Sequence, residues 1–187
     1  MAIEKPKLAD RLDDFLVRIF AGFVYKQYVN SLDLKGNEKV LELGCGSGNL
    51  SKLVISKLFN KGSLTCIDNS NYWLSKAKVR LGGHENIEFK LGDINKLILK
   101  DCYDVIIIHY ILHDINQDTR LRTIKTLKTR LKENGKVYIR EPTRKNHGMP
   151  AKEIEDLMSL SGLKKISSKE IYSLPLRHHY VGIFENK

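Results

Sequence analysis

From Leu32 onward, short apolar runs alternate with segments of helical spacing. Val40-Leu41-Glu42-Leu43, Leu64-Thr65-Cys66-Ile67, Ile87-Glu88-Phe89, Val105-Ile106-Ile107-Ile108 and Val137-Tyr138-Ile139 read as strands. Between them, Leu50, Leu53, Val54 and Leu58, and later Leu121, Ile124, Leu127 and Leu131, recur at helical intervals. Gly62, the Gly82-Gly83 pair and Gly135 fall where those helices should end. Strand and helix in alternation predict a mostly parallel sheet covered on both faces. Val105–Ile108, apolar throughout, reads as a central strand.

The pattern changes toward the C-terminus. Ile154 to Leu163 reads as a helix ending at Gly162, and Lys164 to Tyr172 and His179 to Phe184 as strands turning near Pro175. Two strands with no helix between them predict an antiparallel hairpin at one edge of the sheet. Upstream, Leu12, Leu16, Ile19, Phe20, Phe23, Val24 and Tyr28 share one face of a predicted helix. The expected organisation is an N-terminal amphipathic helical cap over 1–31 and an α/β domain over 32–187. Three readings of the cap compete: a helix packed on the core, a homodimer contact, or a membrane-surface helix. Packing is the simplest, because surface anchors carry a more densely basic polar face.

A chain of 187 residues fits one domain with a substantial core. No apolar stretch reaches the roughly 18 residues of a spanning helix, and the first residues lack an apolar signal region, so a cytoplasmic protein is expected. Cys45, Cys66 and Cys102 are odd in number and lack CxxC spacing, which argues against disulfides and against a structural metal site. A net charge of +10 raises the question of nucleic acid. The lysines are scattered, however, and form no run of five or six like charges.

Candidate chemistry begins at Glu42-Leu43-Gly44-Cys45-Gly46-Ser47-Gly48-Asn49, where a strand runs into glycines and then a helix. Glycines permit a tight turn and close approach of a ligand, with free N–H groups at the helix start. The spacing G-x-G-x-G lacks the third glycine of the dinucleotide fingerprint, since position 49 is asparagine. Glu42 suits a ligand bearing an ammonium group rather than a pyrophosphate. Asp68, closing the second run beside Asn69, is placed to accept hydrogen bonds from ribose hydroxyls, its alternative role being a helix N-cap. Gly92-Asp93-Ile94 closes the third run, where Asp93 can accept from an amino group and Ile94 can pack on a ring.

These segments, together with Tyr103-Asp104-Val105-Ile106-Ile107-Ile108-His109 and Asn134-Gly135-Lys136-Val137-Tyr138-Ile139, resemble the successive motifs of class I S-adenosylmethionine-dependent methyltransferases. His109-Tyr110-Ile111-Leu112-His113-Asp114 resembles the small-molecule branch that includes ubiquinone/menaquinone-type enzymes. The resemblance implies a Rossmann-like seven-stranded sheet, mostly parallel, with its last strand antiparallel. It also implies an S-adenosyl-L-methionine cradle formed by Glu42, Gly44, Cys45, Gly46, Gly48 and Asn49. Asp68, Asn69, Gly92, Asp93, Ile94 and His109 complete it.

Methyl transfer from a sulfonium needs alignment and exclusion of water, and a base where the acceptor carries a proton. Candidates at the strand ends are His109, His113, Asp114, Glu141 and His147, with His109, His113 and Glu141 the catalytic set. Arg140 and Arg144 would suit a carboxylate or phosphate on the acceptor. The Asn/Asp-Pro-Pro-Tyr sequence of enzymes that methylate nucleic-acid amines is missing after the fourth strand. A small-molecule acceptor is therefore expected, with residues 143–150 and the N-terminal helix as lids. RNA methylation and a non-catalytic cofactor-binding protein of the same fold stay open.

Overall fold

A computed structural model describes residues 22–144, 147–173 and 177–187. The elements run α1 (Gly22–Ser31), β1 (Lys39–Leu43), α2 (Asn49–Ile55), β2 (Ser63–Asp68), α3 (Asn71–Leu81), β3 (Ile87–Leu91) and β4 (Tyr103–His109). A 3₁₀ turn (Leu112–Asp114) then leads to α4 (Gln117–Lys128), β5 (Leu131–Arg144), β6 (His147–Gly148), α5 (Ala151–Leu160), β7 (Leu163–Ser173) and β8 (Arg177–Asn186). Seven strands lie in the order β3-β2-β1-β4-β5-β8-β7, with the two-residue β6 paired to β5. Strands β1 to β5 are parallel, and β8 runs antiparallel to both β5 and β7. This is the mostly parallel sheet that the strand–helix alternation predicts, with the Rossmann-like arrangement and antiparallel last strand that the resemblance implies.

Burial on both faces explains the near-continuous apolar runs of the central strands. Successive side chains point to opposite faces. Leu41, Ile106, Ile108, Val137 and Ile139 thus pack with Ile124 and Leu127 of α4 and Ile154 and Met158 of α5. Val40, Leu64, Cys66, Val105, Ile107 and Tyr138 pack with Tyr28 and Val29 of α1, Leu50 and Val54 of α2, and Leu74, Ala77 and Leu81 of α3. The same alternation sends Glu42 to the α1–α3 face. His109 and Arg140 are register partners there, two residues beyond Ile107 and Tyr138. Glu141, one residue on, turns to the other face.

Several boundaries differ from the sequence reading. Helix α4 stops at Lys128, and Leu131 pairs with Tyr103 as the first residue of β5 rather than extending the helix. Gly135 accordingly lies inside β5, next to Asn134 at φ 58°. Leu58 lies beyond α2. Gly62 ends no helix: a Cβ there would stand 2.2 Å from the carbonyl oxygen of Gly36, so close backbone packing requires glycine. Residues 143–150, expected as a loop, include the β5–β6 pairing of Thr143 with Gly148 and Arg144 with His147. The first 21 residues of the expected cap lie outside the described residues, whereas Tyr28 and Val29 of its last turns are core. No helix among the described residues is long and apolar enough to cross a membrane.

Candidate active site

The ends of β1, β2, β3 and β4 meet around the glycine turn, as expected for ligand sites on open parallel sheets. The amides of Gly44 and Cys45 donate to the Ile67 carbonyl at 2.8 and 3.1 Å, tying the turn to β2. Gly44 has φ +70°, and a Cβ on it would meet Cγ1 of Ile111 at 2.4 Å. Gly46 also has positive φ, +52°, but its Cβ position faces open space with nothing within 4 Å. Arg80 braces the far side of the turn by donating to the Ser47 carbonyl at 2.7 Å and to the Asn49 side chain.

Two cavities adjoin this turn. The larger, about 540 Å³, is lined by Asp68, Asn69, Gly92, Asp93 and Ile94, and across from them by Ile111, Asp114 and Thr119. A smaller one of about 250 Å³ is lined by Tyr25, Glu42, Cys45, Asn49 and His109. Gly44, Gly46, Trp73 and Tyr110 line both. Of the residues expected to line a site, Gly48, His113, Glu141 and His147 line neither cavity. Gly48 instead caps α2 at φ 78°, against Ala77.

Asp68 holds the loop as well as facing the larger cavity. Its Oδ2 accepts the Gly46 amide at 2.8 Å, and its Oδ1 accepts the Ser70 amide at 2.9 Å. Burial pushes its pKa up, with these backbone hydrogen bonds opposing the rise. Ser70, not Asp68, is the N-cap of α3, accepting from the Trp73 amide. Asp93 is exposed, and its Oδ1 accepts the Asn95 amide at 2.9 Å.

Glu42 is 2% exposed, and its Oε2 has no partner among the described residues. Burial raises its pKa from 4.5 to about 7; the nearby Asp68 charge adds to the rise and Ser51 opposes it. A buried carboxyl of this kind is poised to ionise when a cation arrives. His109 lies beyond it, with its ring 5.0 Å from that of Tyr25 and 5.2 Å from that of Tyr28. Burial drives its pKa well below 6.5, and Arg140 and His179 push it the same way. The ring is therefore neutral at pH 7 and weakly basic. The Cys45 thiol is held in its protonated form by its hydrogen bond to Cys66 and by burial, so it is no nucleophile.

On the other face, Glu141 is fully buried. Its carboxylate accepts the amides of Ile111 and Leu112 at 2.9 and 2.8 Å and lies 2.6 Å from Nδ1 of His113. Burial lowers the His113 pKa, but the hydrogen bond and charge of Glu141, helped by Asp114, outweigh it and leave the pKa raised. Arg120 clamps the same turn, donating to the His113 carbonyl at 2.9 Å while pairing with Glu153 of α5 at 2.6 Å. His109 and His113 thus serve different faces of the sheet.

Sequence reasoning missed Trp73 and Tyr110, each of which lines both cavities. Trp73 is the single tryptophan of the chain and stands in the first turn of α3, directly after the Asp68 strand. That position is legible once β2 is identified. Tyr110 has φ 53°, a left-handed conformation that a non-glycine residue seldom adopts. Nothing in its sequence neighbourhood announces it.

Comparison with known proteins agrees with this architecture. A family model described as a methyltransferase domain matches residues 34–179. Malonyl-[acyl-carrier protein] O-methyltransferase of Halalkalibacterium halodurans is 30% identical over 100 residues, which are 51% of this chain and 36% of that protein. The chain thus matches about a third of the length of this curated relative. Among solved structures, N-methyltransferase NodS from Bradyrhizobium japonicum WM9, in complex with S-adenosyl-L-homocysteine, has TM-score 0.74 at 18% identity, covering 88% of this chain and 86% of that one. Magnesium protoporphyrin IX methyltransferase ChlM from Synechocystis PCC 6803, with bound SAM, has TM-score 0.74 at 14% identity, covering 98% and 86%. At such identities the two structures speak for the fold alone. By the extent of the family match, the chain belongs to the methyltransferase-domain family and carries the class I methyltransferase fold.

Proposed function

We propose that the chain transfers a methyl group from S-adenosyl-L-methionine to a small-molecule acceptor, with His113 taking the acceptor's proton. The observation that carries this reading is the pair of cavities joined at Gly44 and Gly46. Glu42, a buried carboxyl whose Oε2 has no partner among the described residues, stands at one end and Asp68 at the other. Glu42 suits the ammonium of the methionine end, Asp68 the ribose, and Asp93 with Ile94 the adenine. Gly46 fits between them because its open side leaves room for a ligand against the backbone.

When bound, the cofactor supplies a methyl group activated by a sulfonium. The protein's own part is to align the acceptor, exclude water and remove a proton. Tyr25 of α1 walls the smaller cavity, which supports a role for α1 in covering it. The Nδ1–H of His113 donates to Glu141, so the lone pair lies on Nε2, and the carboxylate stabilises the imidazolium that proton transfer creates. Glu141 is a positioning residue in this scheme, because its oxygens already serve the 111–113 turn. His109, neutral and weakly basic, forms wall rather than base. Since His113 lines neither cavity while Asp114, 3.5 Å from its Nε2, lines the larger, the acceptor would reach His113 from the edge of the larger cavity beside Asp114.

The test is to supply methyl-labelled cofactor and a metabolite extract to the purified protein. Label is expected in low-mass products with the native chain and not with Asp68→Ala. Label found only in RNA or protein would contradict the reading.

A further inference from the structure

His113, Asp114 and His147 bring three metal-ligating atoms within 4.8 Å of one another, from the turn after β4 and from β6. The two imidazole rings stand 4.7 Å apart, nearly perpendicular at 82°. Nε2 of His113 lies 3.5 Å from Oδ1 of Asp114. We propose that these three side chains form a binding site for a borderline divalent cation of the zinc class, with a coordination position left open to the cleft.

The donor set decides the class of ion. Two imidazole nitrogens and one carboxylate suit zinc, cobalt, nickel or copper, whereas magnesium and calcium favour all-oxygen shells. Three protein ligands plus an open position is the arrangement of zinc sites that keep a water or substrate. An independent feature points the same way. Metal-bound histidines characteristically donate their other ring N–H to a carboxylate, which fixes the tautomer and ring orientation. Glu141, fully buried and 2.6 Å from Nδ1, holds His113 in this manner and leaves Nε2 as its donor atom.

The ring of His113 is held by Glu141, while Asp114 and His147 are exposed. With zinc–nitrogen bonds of about 2.0 Å, tetrahedral ligand atoms stand roughly 3.3 Å apart. Closing from 4.8 Å therefore requires only side-chain rotation by the two exposed partners. A cation here takes the same Nε2 lone pair that would accept a proton, so metal binding and proton transfer exclude one another at this histidine.

Cobalt(II) is the probe, added to chelator-treated, full-length protein and followed by visible absorption. One equivalent is expected to give the ligand-field bands of a four- or five-coordinate nitrogen–oxygen site. His147→Ala and His113→Ala should each abolish them, weakening cobalt binding by more than the about 10- to 100-fold that loss of an outer-shell partner causes. Far-UV circular dichroism on both variants confirms the fold, and the exposed His147 offers the change least able to disturb it. Absence of the bands in the native chain, or their persistence in His147→Ala, overturns the site. Because binding is read without turnover, its failure is separate from any failure of methyl transfer.

Discussion

Glu141 of β5 and His113 of the turn after β4 meet at 2.6 Å across 28 residues of sequence. The same carboxylate accepts three amides of that turn, those of Ile111, Leu112 and His113, so one acidic side chain sets both the ring of His113 and the backbone bordering the larger cavity. Parallel pairing of β4 with β5 makes the meeting possible, since His109 and Arg140 are in register and β4 ends there, while β5 continues and carries Glu141 alongside the turn.

Removing Glu141 should therefore destabilise the fold as well as the site. Glu141→Ala leaves the Ile111 and Leu112 amides without their acceptor and His113 without its anion. The expected loss is about 3–5 kcal/mol, measured by urea unfolding. Stability equal to that of the native chain would show that water replaces the carboxylate.

His113→Ala separates chemistry from cofactor binding. Turnover should fall by about 10²–10⁴, the usual range for loss of a positioned base, while affinity for S-adenosylhomocysteine stays unchanged. A variant with full turnover would remove His113 from the reaction.

Glu42 makes cofactor binding and stability depend on pH. With its folded pKa raised to about 7, the carboxyl must ionise to meet an ammonium. Affinity for S-adenosylhomocysteine should therefore decline as pH falls below 7, and Glu42→Gln should bind weakly at every pH. In the unliganded protein, the raised pKa gives stability that is full below about pH 4.5 and lost as pH rises through about 7. That loss is roughly 3 kcal/mol, and Glu42→Gln should lack it. Denaturation midpoints at pH 5 and pH 8 for the two proteins check the sign.

The turn glycines should fail in different ways. Gly44→Ala adds a methyl 2.4 Å from Ile111 at a positive φ, so it should unfold more readily. Gly46→Ala meets nothing within 4 Å, so its cost is only that of left-handed backbone, about 1–2 kcal/mol. It should stay folded yet lose cofactor affinity, because the added methyl points into the open space. Thermal melts paired with ligand titration separate the two outcomes.

The sheet was legible because buried parallel strands produce long apolar runs, and because the glycine turn and Asp68 stand at fixed distances along the chain. Helix ends were less so. Leu131 continues the spacing of Ile124 and Leu127, yet pairing with Tyr103 places it in β5. The division between His109 and His113 was also hidden. His109 closes the fourth strand and His113 follows it closely, but the pleat buries one among tyrosines while the other meets Glu141, a partner fixed only by tertiary structure. Tyr110 could not be foreseen, since its left-handed backbone is imposed by its surroundings and not by its own preference.

The central claim is that Glu42, the Gly44–Gly46 turn and Asp68 together hold a molecule with an amino-acid end and a nucleoside end. Calorimetric titration with S-adenosylhomocysteine tests it most directly. The expected result is saturable binding at one site per chain, weakened at least tenfold by Asp68→Asn, about the value of hydrogen bonds to a charged acceptor. No binding by the native chain, or equal binding by Asp68→Asn, would contradict the account.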